Sequence, residues 1–318
     1  MSLEPLLSVH DLRTWYPIRR GVLNRARGFV KAVDGVSFAV EKGRTLGLVG
    51  ESGCGKTSLG RSLAGLEAPR SGEILFQGEP VPPGNKRGKV WRKRIQMIFQ
   101  DPFSSLNPRM TVMDIVTEGQ AEHGMLAGSK EQAAREILSR VGLDENAVFR
   151  YPHEFSGGQR QRISVARAIS LNPDLVVCDE AVSALDVSVQ AQVIRLLKNL
   201  QEELSLSYLF ISHDLAVVST LSHEVAVMYL GRIVEHGPTA EVLRNPRHPY
   251  TQALISAVPR PGKDKRMRII LHGEPPSPAR PPAGCRFHPR CPHVMEVCHA
   301  VDPEPRILGP VRAWCHLY

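Results

Sequence analysis

Along the first hundred positions the apolar residues fall in short runs broken by turn-forming residues. Positions 35–40 and 45–49 read as strands separated by the turn Glu41-Lys42-Gly43, Ser71-Gly72 opens a strand over 73–77, and 95–99 is a compact apolar strand. One helix, 58–66, is set among them. From 101 to about 171 the period becomes helical. Ser129 and Gln132 have capping-box spacing, Ala134, Ile137, Leu138 and Val141 follow at helical intervals, and Gly142 ends the run. A further helix is predicted over 158–170, with Pro173 beyond its end. The chain then alternates, with strand 175–178, helix 189–204 and strand 208–211. Residues 225–229 and 232–236 flank Leu230-Gly231 and predict a hairpin. Strands alternating with helices imply an α/β core with a largely parallel sheet, and the helical block, lying between two strands, is an insertion into it. After Asn245 prolines become dense, with pairs at 275–276 and 281–282, so a small irregular module is expected over 245–318.

A chain of 318 residues can bury a sizeable core, as one large domain with an appendage or as two domains. No stretch approaches the roughly 20 apolar residues needed to cross a bilayer, and residues 1–11 lack the basic start and apolar core of a signal peptide. A cytoplasmic protein is expected, with any membrane role exercised through partners. The net charge of +8 is spread over clusters at 19–27, 86–94 and 260–268, each read as solvated surface, with anionic headgroups as the alternative. Of six cysteines, Cys54 lies in a glycine-rich stretch and Cys178 in an apolar run, while four gather near the C-terminal end and hint at metal or redox chemistry.

Gly50-Glu51-Ser52-Gly53-Cys54-Gly55-Lys56-Thr57 has the pattern G-x-x-x-x-G-K-[ST], placed between a strand and the helix opened by Ser58. Its glycines let the loop wrap closely with N–H groups aimed at phosphate oxygens, and the helix N-terminus favours an anion. Lys56 is expected to neutralise the β- and γ-phosphates, and Thr57 to hold Mg²⁺. Leu175-Val176-Val177-Cys178-Asp179-Glu180 delivers two acids at the C-terminal end of a buried strand, where ligands gather in parallel sheets. Asp179 is expected to hold Mg²⁺ and Glu180 to polarise the attacking water as general base.

Phe155-Ser156-Gly157-Gly158-Gln159 resembles the signature sequence of ABC-transporter ATPases, with Phe for the commoner Leu, and lies between the two phosphate motifs as in that family. Gln100 resembles the Q-loop glutamine, Ser183-Ala184-Leu185-Asp186 the D-loop, and His213 the switch histidine. The resemblance covers about 10–240. It implies an α/β P-loop NTPase fold of the ABC-ATPase type, with a mainly parallel core sheet, an antiparallel β subdomain, an inserted helical subdomain over about 101–171, and a nucleotide-binding domain spanning 7–244. It further implies that Ser156, Gly157, Gly158 and Gln159 act in trans on a partner's nucleotide. In the same reading His213 contacts the γ-phosphate and orients Glu180, Gln100 reaches Mg²⁺ or the lytic water, and Asp186 is the D-loop acid. Tyr16 is the candidate to stack on adenine, with Trp15 second and an ordinary core aromatic the alternative.

The finer resemblance is to ATP-binding subunits of dipeptide and oligopeptide importers. It is carried by residues 49–56, 100–108 and 183–192, by His248-Pro249-Tyr250-Thr251, and by the basic insertion within 16–34. The last points to the second ATPase of a pair. The implied partners are a sister ATPase, two membrane permeases and an extracytoplasmic substrate-binding protein, with no nucleic acid, and the implied place is the cytoplasmic face of the membrane. Import of nickel, glutathione or sugars is an alternative, and action on DNA or ribosomes is a reading from a different class. Ala181 departs from the Pro that the subgroup often carries, with little effect expected. Cys285, Cys291, Cys298 and Cys315 match a C-terminal module that in some relatives is associated with a [4Fe–4S] cluster; zinc, or four reduced thiols packed as small hydrophobes, are the alternatives. A structural or regulatory role is expected for that cluster, since nothing in the sequence places it near the phosphates.

Overall fold

The computed structural model describes residues 4–20, 25–126, 128–258 and 269–318. The predicted basic cluster at 260–268 lies outside the described residues, as does part of the one at 19–27. The chain opens with two long strands, β1 (Leu7–Arg20) and β2 (Arg25–Val40), antiparallel and interrupted by bulges. Next come β3 (Thr45–Val49), helix α1 (Lys56–Ala64), β4 (Ser71–Phe76) and the two-residue β5 (Glu79–Pro80). Helix α2 (Lys89–Arg94) leads into β6 (Ile95–Ile98). The helical block holds α3 (Pro102–Ser105), α4 (Val112–Glu122), α5 (Lys130–Arg140) and α6 (Gly157–Ile169). The chain returns through β7 (Leu175–Asp179), α7 (Val187–Leu204), β8 (Ser207–Ser212), α8 (Leu215–Leu221), β9 (Glu224–Tyr229) and β10 (Arg232–Pro238). It ends with α9 (Thr239–Arg244), α10 (Pro249–Ser256) and the hairpin β11 (Pro305–Leu308) and β12 (Val311–Trp314).

Among the described residues the strands form two sheets. The larger has the order β11-β12-β10-β9-β3-β8-β7-β6, and its segment from β9 to β6 is parallel throughout. The smaller, β2-β1-β4-β5, is antiparallel. Strands β3, β7 and β8 are buried along their whole length, the condition of parallel strands covered on both faces. Period-two alternation then sorts their side chains into two cores. Val176, Cys178, Tyr208 and Phe210 share the core with the helical block, α7 and α8, while Leu175, Val177, Leu209 and Ile211 face α1 and the antiparallel sheet. Phe76, with no exposed surface, anchors the second core, and its truncation to Ala would cost about 3–5 kcal/mol.

Two expectations change. Ser129 is the N-cap residue of α5, but its side chain makes no capping bond; Gln132 donates to Glu136 Oε1 at 3.2 Å instead, one turn along the exposed helix face. The C-terminal module is not a free appendage, because β12 pairs with β10 at Glu235 and His236 and so extends the core sheet. Burial of the module's apolar residues against that sheet replaces the independent core that its proline-rich sequence cannot supply.

Candidate active site

The loop between β3 and α1 wraps as its glycines require. A Cβ on Gly55 (φ 110°) would stand 1.9 Å from the Ala32 carbonyl oxygen, and Gly53 has φ 77° in open space, so the first position has no room for a side chain and the second is strained with one. Helix α1 has no capping side chain and no acid in its first turn. Its leading N–H groups are therefore left to a ligand, and the helix dipole favours an anion there. Lys56 is 4% exposed, and its Nζ donates to the carbonyls of Gly50 (2.8 Å) and Glu51 (3.0 Å).

This loop forms one wall of a cleft of about 340 Å³ lined by Ser52, Gly53, Gly55, Lys56, Thr57 and Ser58, with Gln100 and Glu180 facing them. Thr57 Oγ1 donates to Asp179 Oδ1 at 3.0 Å. Burial pushes the Asp179 carboxyl up from its ordinary range, and the Thr57 hydroxyl partly offsets this. A hydroxyl and a carboxylate oxygen at the phosphate end form a hard-oxygen donor set that suits Mg²⁺, a cation that takes few protein ligands and several from phosphate or water. Glu180 follows with a left-handed backbone (φ 47°), a conformation that costs a non-glycine residue about 1–3 kcal/mol. Its Oε2 accepts from Gln100 Nε2 at 3.0 Å and lies 3.4 Å from His213 Nδ1. Gln100, Glu180 and His213 follow the C-terminal ends of β6, β7 and β8, which are neighbours in the sheet.

Ser156 caps α6 in a full capping box, its Oγ accepting from Gln159 N–H while Gln159 Oε1 accepts from Ser156 N–H. The two glycines differ. A Cβ on Gly158 would meet Val189 Cγ1 at 2.4 Å, so it is needed for packing against α7, whereas Gly157 is open apart from Leu185 at 3.9 Å. None of these four residues lines the cleft of their own chain. Asp186 caps α7, accepting from Val189 N–H at 3.0 Å, and the Ser188 hydroxyl holds its carboxyl below the usual range.

Tyr16 lines the cleft with Val30, its cross-strand partner, and Ala32. Trp15 points elsewhere: its Nε1 donates to Asp34 Oδ1 at 3.1 Å, and its ring lies under the cations of Lys31 and Arg70. Glu51, expected among the nucleotide ligands, turns away from the cleft. Its N–H donates to Tyr250 Oη at 2.8 Å, and its carboxylate pairs with Arg290. Cys54 is buried in the loop, and burial raises its thiol pKa. Pro278 also lines the cleft, and its carbonyl accepts from Lys31 N–H at 3.0 Å. The C-terminal module, whose cysteine cluster nothing in the sequence places near the phosphates, thus contributes to the cleft. Its residues reach both walls, through contacts between positions 199 to 252 apart that no local pattern announces. The signal that was available, His248-Pro249-Tyr250-Thr251, has a local explanation: His248 caps α10 through Nδ1, Pro249 takes the first turn, and the Tyr250 hydroxyl is aimed at the loop.

The iron–sulfur expectation for Cys285, Cys291, Cys298 and Cys315 is not supported. Among the described residues no group of three or more His, Cys, Asp or Glu is arranged to hold a metal ion. Cys285 and Cys298 are instead joined through their backbones, Cys285 N–H donating to Cys298 O at 3.0 Å, and pack in the core beside Phe287. Burial pushes the Cys285 thiol up to about 11 and raises Cys291 and Cys315 as well, which favours the protonated form.

Residues 33–183 match the family described as ABC transporter, and 234–298 match the oligopeptide/dipeptide transporter C-terminal region. The chain is 52% identical to the oligopeptide transport ATP-binding protein AppF of Bacillus subtilis (strain 168), over 99% of this chain and 98% of that one. It is 50% identical to the dipeptide transport ATP-binding protein DppF of Escherichia coli (strain K12), over 96% and 92%. The solved structure of cbiO1 from Clostridium perfringens, part of the ABC transporter complex cbiONQ, superposes with a TM-score of 0.65 at 25% identity, covering 76% of this chain and 92% of that one.

Proposed function

The chain belongs to the ABC transporter family as an ATP-binding subunit of the oligopeptide/dipeptide transporter group, and from that premise we propose that it hydrolyses MgATP at a dimer interface to drive peptide uptake. One observation carries the reading: Gln100, Glu180 and His213, from three adjacent strand ends, converge opposite the Lys56 loop. The reaction needs a triphosphate held by fixed donors and a water polarised in line with it. The first turn of α1 and Lys56 supply the donors. Glu180 is the proton acceptor, and Gln100 and His213 hold its carboxylate in place. Mg²⁺, carried in with the nucleotide, would neutralise charge on the phosphate oxygens, held by Thr57 and Asp179 with Gln100 nearby.

Ser156, Gly157, Gly158 and Gln159 act on the nucleotide of a companion ATPase. This is supported by their absence from the lining of their own chain's cleft and by the open surface over Gly157. The companion is a sister ATPase forming a heterodimer. As a subunit of an ABC importer the chain works with membrane permeases, and no helix among the described residues is long and apolar enough to cross a membrane. A groove of about 670 Å³ between β6 and the helical block suits a permease segment. Ile95, Met97 and Phe99 lie on one side and Glu118, His123 and Arg167 on the other, so an occupant would touch both the strand that leads to Gln100 and the block that carries the signature. An extracytoplasmic binding protein would deliver the peptide. The domain division follows as nucleotide-binding residues 7–244, including helical residues 101–171, and a C-terminal module from 245.

The cargo reading is tested with the assembled transporter in vesicles. Peptide-loaded binding protein is expected to stimulate ATP hydrolysis, whereas stimulation by nickel, glutathione or a sugar in its place would sink it. Tyr16 supplies the adenine wall, a role supported by its position beside Val30 and Ala32. Aromatic stacking on a base is worth roughly 1–3 kcal/mol, so Tyr16→Ala should raise the KM for ATP roughly tenfold. Trp15→Ala, measured in parallel, should leave it nearly unchanged, and the reverse ranking would move the adenine contact to Trp15.

A further inference from the structure

The phosphate loop is held from behind as well as from the cleft. Its glycines carry no side chains with which to anchor it, and Glu51, the residue after Gly50, has its N–H on Tyr250 Oη at 2.8 Å. Both Glu51 carboxylate oxygens accept from Arg290, Oε2 from Nη1 at 2.8 Å and Oε1 from Nη2 at 3.3 Å. Tyr250 is a rigid post. It is fully buried, with its ring against Tyr229 at 4.7 Å and Phe287 at 5.5 Å. Arg290 closes the short turn His288–Arg290 that follows Phe287, and its side chain is 8% exposed. The same module also holds the opposite wall of the cleft. Pro278 accepts from Lys31 N–H, and Arg286 pairs with Asp34 of β2 and donates to the Leu230 carbonyl.

We propose that the C-terminal module is a positioning element of the nucleotide site, in which Tyr250 and Arg290 fix the Glu51 turn in the shape that receives the triphosphate. Docking through β12 on β10 would suffice to staple the module, yet further contacts reach the two chain segments that wall the cleft, at Glu51 and at Lys31. Lys56 at present donates to the carbonyls of Gly50 and Glu51. An ammonium drawn toward phosphate gives up part of that hold on the loop, and the contacts from behind remain. A bidentate guanidinium–carboxylate pair fixes direction as well as distance. Neither Tyr250 nor Arg290 lines the cleft, so both act through loop shape. Loop shape serves ground state and transition state alike, which places the effect in KM rather than kcat.

The inference rests on the Lys56 loop being the ATP site. Its test uses the assembled transporter, with MgATP hydrolysis and thermal midpoint measured for Glu51→Gln, Arg290→Gln, the double variant, Arg290→Lys and Tyr250→Phe. Glu51→Gln and Arg290→Gln should each raise KM roughly five- to tenfold with kcat within about twofold, and the double variant should be no worse than either single one. Arg290→Lys should recover part of the loss, since it restores charge without the planar fork. Tyr250→Phe, which keeps the ring packing, should raise KM roughly threefold. A lowered thermal midpoint with unchanged KM, or single effects that multiply in the double variant, would overturn the proposal. Nucleotide binding that survives Lys56→Ala would instead overturn the reading of the loop itself, whatever Arg290 shows.

Discussion

Glu180→Gln is expected to cut ATP turnover by roughly 10²- to 10⁴-fold, the usual contribution of a positioned general base, while changing MgATP affinity by less than about threefold. The substitution is nearly isosteric, and a Gln oxygen can still accept from Gln100 Nε2, now 3.0 Å from the carboxylate. The parts that bind triphosphate, namely the uncapped turn of α1, Lys56 and the Thr57–Asp179 pair, are untouched. What is lost is the negative charge beside His213 and with it the ability to accept a proton from water. Nucleotide should then accumulate unhydrolysed, and the dimer with the sister subunit should persist, readable by light scattering and by nucleotide retained after gel filtration. Unchanged turnover would show that another group does the work in this subunit. Loss of binding along with turnover would show that Glu180 has a structural part, through its left-handed backbone and the bond from its N–H to the Ile211 carbonyl.

The phosphate end of this site is legible in the sequence because its determinants are local. Eight consecutive residues, 50–57, specify a strand, a glycine turn and an uncapped helix, and the structure follows that pattern closely, with α1 beginning at Lys56. The acids at 179–180 were legible for a similar reason, since four apolar residues before them predict a buried strand and fix which end they occupy. Parallel order could be inferred only from the alternation of strands and helices, but it is what brings Gln100, Glu180 and His213 to one edge. Tyr16 sits opposite Val30 in a long bulged hairpin, and no short pattern shows that this pairing aims its ring at the cleft. Least legible was the C-terminal module. Arg290 and Glu51 are 239 positions apart, and their pairing depends on β12 docking against β10 and on a cluster of three aromatic rings, Tyr229, Tyr250 and Phe287. The four cysteines misled in the other direction. Four thiols close together in sequence look like a ligand set, but among the described residues no such group is arranged to hold a metal, and Cys285 and Cys298 are buried in the core with Cys291 packed against it.

Lys56→Ala should weaken MgATP binding by at least about thirtyfold, and by up to several thousandfold, because removing one partner of a desolvated charge pair costs roughly 2–5 kcal/mol. The side chain is 4% exposed, so water screens its charge poorly. Loss of fold is the competing explanation for any such defect, and the surroundings of Lys56 separate the two. Without nucleotide, its ammonium is buried with backbone carbonyls of Gly50 and Glu51 as hydrogen-bond partners and the Cys54 sulfur at 3.8 Å, and among the described residues no carboxylate is paired with it. A buried cation with only neutral partners carries a desolvation cost that Ala relieves, so the nucleotide-free protein should lose little stability or none. Ligand binding, by contrast, stabilises a native state by about 2.7 kcal/mol when nucleotide is one hundredfold above its Kd. The wild-type protein should therefore show a clear upward shift of its thermal midpoint on adding MgATP, and the Lys56→Ala variant should show about a third of that shift or less. An early-melting variant that still responds to nucleotide would point to a packing role for Lys56, and would overturn the reading of its loop as the triphosphate site.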